Sequence, residues 1–212
     1  MMSNYLIADL HDPARLADMQ DLASRIKKHA IPKNPVIFFG SSSFRLWDPT
    51  IKTDLNSNSI LNLAFGGSTL VTCGKYFERI MEPYHEAKSM VIYAGDNDLG
   101  DGRSSIEVRD AFLQLLDKVE KHFGPIPVFF VSIKPSPSKQ SIFDRIVDSN
   151  RLIQKESKHR DNLHYVDIFT PMLTSSGRSD PAYFSEDMLH MNEAGYHVWK
   201  TVMLEQREKI GF

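Results

Sequence analysis

The sequence predicts an α/β fold: a parallel sheet held between two layers of helices (α/β/α), in a single domain spanning residues 1–212. Three observations carry this. Five short apolar runs, mostly rich in Val, Ile, Phe or Tyr, recur at Pro35–Phe39, Ser59–Phe65, Met90–Ala94, Val128–Ile133 and His164–Ile168. Each run is nearly continuous instead of alternating, as strands covered on both faces are. The intervening segments are long enough for crossover helices, and strand–helix alternation with right-handed crossovers builds a parallel sheet.

The helices follow from apolar spacing. A leading helix fits Pro13–Ala30, where Leu16, Met19, Ala23 and Ile26 form one stripe. It belongs to a leading helical segment, residues 1–32, that packs on the domain. Ser105–His122 is the clearest crossover, with Val108, Phe112, Leu115, Leu116 and Val119 at helical spacing. Ser141–Lys158 carries Ile142, Ile146, Asn150 and Ile153 on one side, and Asn192–Lys209 closes the chain. Thr170–Glu186, with two prolines and Thr174-Ser175-Ser176-Gly177, reads as a surface loop of the kind that shapes binding sites. The chain has no internal repeat, low-complexity tract or Gly/Ser linker, and its apolar stripes are all accounted for by the core.

Composition narrows the function. With 42% apolar and 25% charged residues, the chain can bury a core. Twenty-five basic against 27 acidic side chains leave a formal charge of -2, which argues against a nucleic-acid or membrane-surface binder. Cys73 is the single cysteine, so no intrachain disulfide and no cysteine-based zinc site can form. Met1–Leu10 lacks the basic start and apolar run of a secretory signal, and no apolar stretch approaches the roughly 20 residues of a membrane span. The expectation is a soluble, cytoplasmic protein.

In open α/β sheets, ligands bind beyond the carboxyl ends of the strands. Small and polar residues gather there: Gly40-Ser41-Ser42-Ser43 after the first run, Gly66-Gly67-Ser68-Thr69 after the second, Gly95-Asp96-Asn97-Asp98 after the third, and Lys134-Pro135-Ser136-Pro137 after the fourth. Each has an ordinary structural use. Serines cap helices, glycines permit tight turns, and Asn97 suits a turn. Together they match the needs of nucleophilic acyl transfer, with a serine hydroxyl, donors for an oxyanion at Gly67 and Asn97, and acid plus base in Asp187-Met188-Leu189-His190.

Four blocks in order then resemble the SGNH, or GDSL-type, serine hydrolases. They are Phe39-Gly40-Ser41-Ser42-Ser43, Asn62 through Ser68, Gly95-Asp96-Asn97-Asp98, and Asp187-Met188-Leu189-His190-Met191-Asn192-Glu193-Ala194-Gly195-Tyr196. In the first block Ser41 replaces the usual Asp and Ser43 the usual Leu or Ile, which resembles a subgroup with Gly-Ser-Ser-Ser-x-Arg-x-Trp; Arg45 and Trp47 fit it. Ser41 or Ser43 could supply the reactive hydroxyl, but the spacing from Gly40 favours Ser42. The resemblance implies a flavodoxin-like, SGNH-hydrolase fold with five parallel strands in the order 2-1-3-4-5. It also implies a catalytic Ser42, His190 and Asp187, an oxyanion hole from the Ser42 and Gly67 N–H groups and the Asn97 amide, and a small-molecule ester as substrate.

This scheme needs no cofactor and no metal. A histidine base acts unprotonated, so activity should rise through about pH 6–7. Trp47, Phe44 and Phe65 are candidates for an acyl pocket, Ser43 for substrate binding, and Lys134 for steering an anionic substrate. Without an obvious helical lid, short acyl groups are expected. Two metal-like patterns are discounted. Asp9-Leu10-His11 lacks the partner ligands of a metallophosphoesterase, and Asp96–Asp101 with Glu107 has the wrong glycine position for a calcium loop. The rivals are a non-catalytic carbohydrate- or lipid-binding module on the same fold, and a flavodoxin-like nucleotide binder, which would need a phosphate-cradling glycine loop absent here.

Overall fold

A computed structural model describes Leu6 and residues 13–28 and 30–212. Asp9-Leu10-His11 and most of the leading segment before Pro13 lie outside the described residues. Five strands, β1 (Val36–Gly40), β2 (Ile60–Asn62), β3 (Ser89–Tyr93), β4 (Val128–Val131) and β5 (Leu163–Val166), form one sheet in the order β2-β1-β3-β4-β5. All four pairings are parallel. The order reverses between β1 and β3, so the loops after these neighbours diverge and leave a crevice at the carboxyl edge.

Burial on both faces explains the continuous apolar runs. Ile37, Phe39, Met90, Ile92, Val128 and Phe130 pack on one face, against α1 (Pro13–Lys27), α4 (Leu70–Met81), α6 (Ser105–Phe123) and α7 (Phe143–Ser157). Their alternates Val36, Phe38, Val91, Tyr93, Phe129 and Val131 pack on the other, against α2 (Ser42–Trp47), α3 (Ile51–Asp54), α8 (Glu193–Glu205) and α9 (Arg207–Ile210). This is the period-2 alternation of strands, with both faces apolar. The short helix α5 (Asp96–Gly100) opens two residues after β3.

Several expectations need correction. The helix α4 was not singled out in the sequence, yet Leu70, Cys73, Tyr76, Phe77, Ile80 and Met81 form a buried stripe, and Thr69 with Thr72 builds a capping box at its start. The second strand is only three residues long. Beyond it, Leu63 and Phe65 still donate to the Phe38 and Gly40 carbonyls at 2.8 and 3.0 Å, so the apolar run reflects real pairing past the strand's end. The closing helix breaks at Gln206 into α8 and α9. Asn150, counted within an apolar stripe, is buried because its amide donates to the Ile133 carbonyl and accepts from the Ile133 N–H, at 2.9 and 2.8 Å. Thr170–Glu186 is more than surface loop: it holds two 3-10 turns and buries Met172 and Phe184.

Candidate active site

Gly40 ends β1 at φ +139°, and a Cβ there would lie 1.9 Å from the Tyr93 carbonyl oxygen, so only glycine lets β1 and β3 close up before the chain turns. Ser41 follows in extended conformation at the N-cap position of α2, whose first residue is Ser42, and its hydroxyl makes no cap bond. The side chain of Ser42 therefore leaves the sheet at the crevice. A chain stretch 148 residues later comes to meet it, and Ser42 Oγ lies 3.0 Å from His190 Nε2.

His190 is held by a tight turn. One oxygen of Asp187, Oδ1, accepts from the N–H groups of Leu189 and His190, each at 2.9 Å. The other, Oδ2, lies 2.6 Å from His190 Nδ1. The backbone hydrogen bonds from Leu189 and His190, then the imidazole, bring the Asp187 carboxyl down to about 2, so it is ionised across the neutral range. An ionised carboxylate only accepts; Nδ1 therefore carries the ring proton and Nε2 is left to accept from the Ser42 hydroxyl. This works although the Asp187 and His190 side chains are 49% and 30% exposed. Met188 adopts a left-handed φ of +54° in this turn. The turn is anchored by Ser138 N–H to Met188 O at 3.0 Å, Ser136 Oγ to Leu189 O at 3.3 Å and Ser185 N–H to His190 O at 2.8 Å.

Asn97, in α5, faces this pair from the neighbouring loop. Its Nδ2 donates to Ser41 Oγ at 3.1 Å and to the Ser68 carbonyl at 3.0 Å. Both amide protons thus have partners within the crevice, and the hydroxyl of Ser41 is one of them. Gly67 sits beside Ser68 at φ +56°. From α1, Arg15 donates to the Gly66 carbonyl at 3.2 Å and pairs with Asp18 at 3.1 Å, fixing this turn from outside. The structure therefore gathers Ser41, Ser42, Gly67, Asn97, Asp187 and His190 around one crevice.

The other candidates lie elsewhere. Trp47 is 1% exposed, donates to Asp54 at 2.8 Å and packs within an aromatic cluster, 5.6 Å from Tyr196 and 6.2 Å from Trp199 between ring centroids. Phe44 and Phe65 are wholly buried. Ser43 is buried too, and its carbonyl accepts from the Tyr196 hydroxyl at 2.9 Å. None of these four forms an open wall. Lys134 is also no steering group, because at 1% exposure it cannot meet a solvated anion; its Nζ donates to Asp96 Oδ2 at 2.9 Å and to the Tyr93 hydroxyl at 3.0 Å. In the calcium-like stretch, Asp98 instead accepts from the N–H of Leu70 at 2.8 Å at the start of α4, while burial, resisted by that bond, raises its carboxyl. Sequence reasoning missed the Ser41 and Ser68 contacts to Asn97 and the Lys134–Asp96 pair. The one signal for that pair was the matching position of Asp96 and Lys134, each three residues past the end of a buried strand.

A hydroxyl, an imidazole with a free acceptor nitrogen, an ionised carboxylate and an amide in one crevice define a site suited to acyl transfer. The GDSL-like lipase/acylhydrolase family model matches residues 13–198, and the chain belongs to that family, whose members are hydrolases acting on esters. No curated protein matches it. Among solved structures, a protein provisionally assigned as an acylhydrolase from Bacteroides fragilis superposes with a TM-score of 0.75 at 19% identity, covering 95% of this chain and 98% of its own. A GDSL-like lipase from Bacteroides thetaiotaomicron gives 0.71 at 18% identity, with 99% of both chains covered. The C-terminal domain of the Drosophila Oskar protein gives 0.67 at 16%, over 85% of this chain and 91% of that one. At these identities the likeness is one of fold. Among the described residues no helix is long and apolar enough to cross a membrane.

Proposed function

We propose that the protein is a serine esterase that cleaves carboxylic esters of small acyl groups through an acyl-enzyme on Ser42. The observation that carries this reading is the hydrogen-bonded chain Ser42–His190–Asp187, at 3.0 and 2.6 Å. Ser42 Oγ attacks the ester carbonyl while His190 Nε2 takes its proton; the resulting imidazolium is stabilised by Asp187. The tetrahedral oxyanion is met by the Asn97 amide and the N–H groups of Ser42 and Gly67, with Asn97 exchanging a resting contact to Ser41 or Ser68 for one to substrate. His190 then returns the proton to the departing alcohol, and water repeats the sequence on the acyl-enzyme to release the acid. Small acyl groups fit because Phe44, Trp47 and Phe65, the aromatic candidates for an acyl pocket, are locked in the core.

The test is hydrolysis of p-nitrophenyl acetate, butyrate and octanoate by wild type and Ser42→Ala, with and without EDTA. The expected result is EDTA-resistant activity, highest on the short esters and abolished in the variant. Activity retained by Ser42→Ala would refute the assignment, and a preference for octanoate would refute the small acyl group. Absence of both hydrolysis and fluorophosphonate labelling of Ser42 would favour a binding module on this fold.

A further inference from the structure

The Lys134–Asp96 pair is buried where stability alone gives little reason for it. Withdrawing each charge from water is costly, and apolar residues often replace such pairs without loss. The two side chains are 1% and 5% exposed. Burial is the largest influence and works against both charges, yet their attraction and the hydrogen bonds around them together outweigh it: the lysine is held above its ordinary value and the carboxylate below. Both are therefore charged, and Lys134 Nζ also sits 5.4 Å from the Tyr93 ring centre.

What the pair joins is specific. Asp96 opens α5 after Gly95, which has no side chain to cap the helix, and the free carboxylate oxygen Oδ1 accepts from the Asn97 N–H at 3.0 Å. The carboxylate that Lys134 holds by Oδ2 thus fixes the backbone of Asn97 by Oδ1. On its other side, Lys134 begins the segment whose Ser136 and Ser138 bind the Leu189 and Met188 carbonyls in the turn of His190. The ion pair is a buried joint between the loop carrying Asn97 and the segment that docks the His190 turn.

We propose that Lys134 is a positioning residue for the esterase reaction, setting the Asn97 amide through Asp96 at the place where it meets the oxyanion. This rests on the esterase reading above. The test is a double-mutant cycle of Lys134→Met and Asn97→Ala on p-nitrophenyl acetate, with kcat and KM measured separately, and in parallel on the rate of fluorophosphonate labelling. Asn97→Ala is expected to lower kcat about 100- to 1000-fold. Lys134→Met should lower it about 10- to 100-fold with KM within about threefold of wild type, the scale of a misplaced catalytic group. The double variant should be no worse than Asn97→Ala alone, because a residue that acts through Asn97 has nothing to position once the amide is gone.

Losses that multiply across the cycle would overturn the proposal, as would Lys134→Met at wild-type kcat. If that variant does not fold, Asp96→Asn/Lys134→Met removes both charges together and keeps an acceptor for the Asn97 N–H. It is expected to fold and to show the same loss, and wild-type kcat there would equally overturn the proposal. Ser42→Ala keeps the two levels apart: its retained activity would refute the esterase reading itself, whereas an inactive Ser42→Ala beside a multiplicative cycle would refute the role of Lys134 alone.

Discussion

Replacing Asp187 with Asn tests the direction of the hydrogen bonds at the candidate site while leaving its shape in place. Asp187 Oδ1 accepts two backbone N–H groups, each at 2.9 Å, so an amide NH2 in that position would face two donors. The Asn carbonyl oxygen must therefore take it, and the amide nitrogen falls opposite His190 Nδ1, 2.6 Å away in the native pair. There it can only donate. Nδ1 must give up its proton to become an acceptor, and the proton moves to Nε2, where it points at Ser42 Oγ 3.0 Å away. His190 can then no longer accept the serine proton. In a buried triad the corresponding change costs about 10⁴-fold in kcat. Here the Asp187 side chain is 49% exposed, so water competes for Nδ1 and restores part of the useful tautomer. The expected loss is therefore smaller, about 10²- to 10³-fold, with KM nearly unchanged. Steady-state hydrolysis of p-nitrophenyl acetate measures it, with far-UV circular dichroism and a thermal melt confirming the fold. A variant within about threefold of wild type, folded and equally stable, would refute the tautomer argument.

Other consequences can be checked more briefly. Trp47 is a core residue, so Trp47→Ala should cost about 3–5 kcal/mol of stability by denaturant titration; an equally stable variant with altered acyl-chain preference would return Trp47 to the substrate pocket. Cys73 is fully buried and burial pushes its thiol up to about 12, so it should resist a thiol reagent such as DTNB in the native protein and react at once in denaturant. The Lys134–Asp96 pair predicts a pH window for stability. The Asp96 carboxyl lies below its ordinary 3.8 in the folded chain, so its contribution is present above that value and lost as pH falls through the lowered one. Lys134 lies above its ordinary 10.5, so its contribution is complete below that value and lost as pH rises through the raised one. The melting temperature of Asp96→Asn/Lys134→Met should consequently fall less steeply than wild type below pH 4, and a parallel decline would contradict the pairing.

Much of this molecule is legible in its sequence, because the signals involved are local. A strand buried on both faces must be apolar at nearly every position, which is why five runs marked five strands. A helix against a sheet must repeat its apolar residues every three or four positions, which found α1, α6 and α7. The short blocks at the strand ends pointed to Ser42, Gly67 and Asn97, because ligands of an open α/β sheet meet its carboxyl edge, and the order of the four blocks pointed to Asp187 and His190, which precede α8.

The tertiary structure alone decided what each polar side chain faces. Nothing local distinguishes a lysine that leaves the sheet for solvent from one that turns inward, and Lys134 turns inward because Asp96, on the neighbouring strand's loop, supplies the opposite charge. Trp47 likewise entered the core because Tyr196 and Trp199, from the far end of the chain, close over it. The contacts of Asn97 to Ser41 and Ser68, and of Ser42 to His190, join residues that the sequence separates widely. Periodicity records which face of an element is buried; the partner met there is fixed only when the sheet order brings distant loops together.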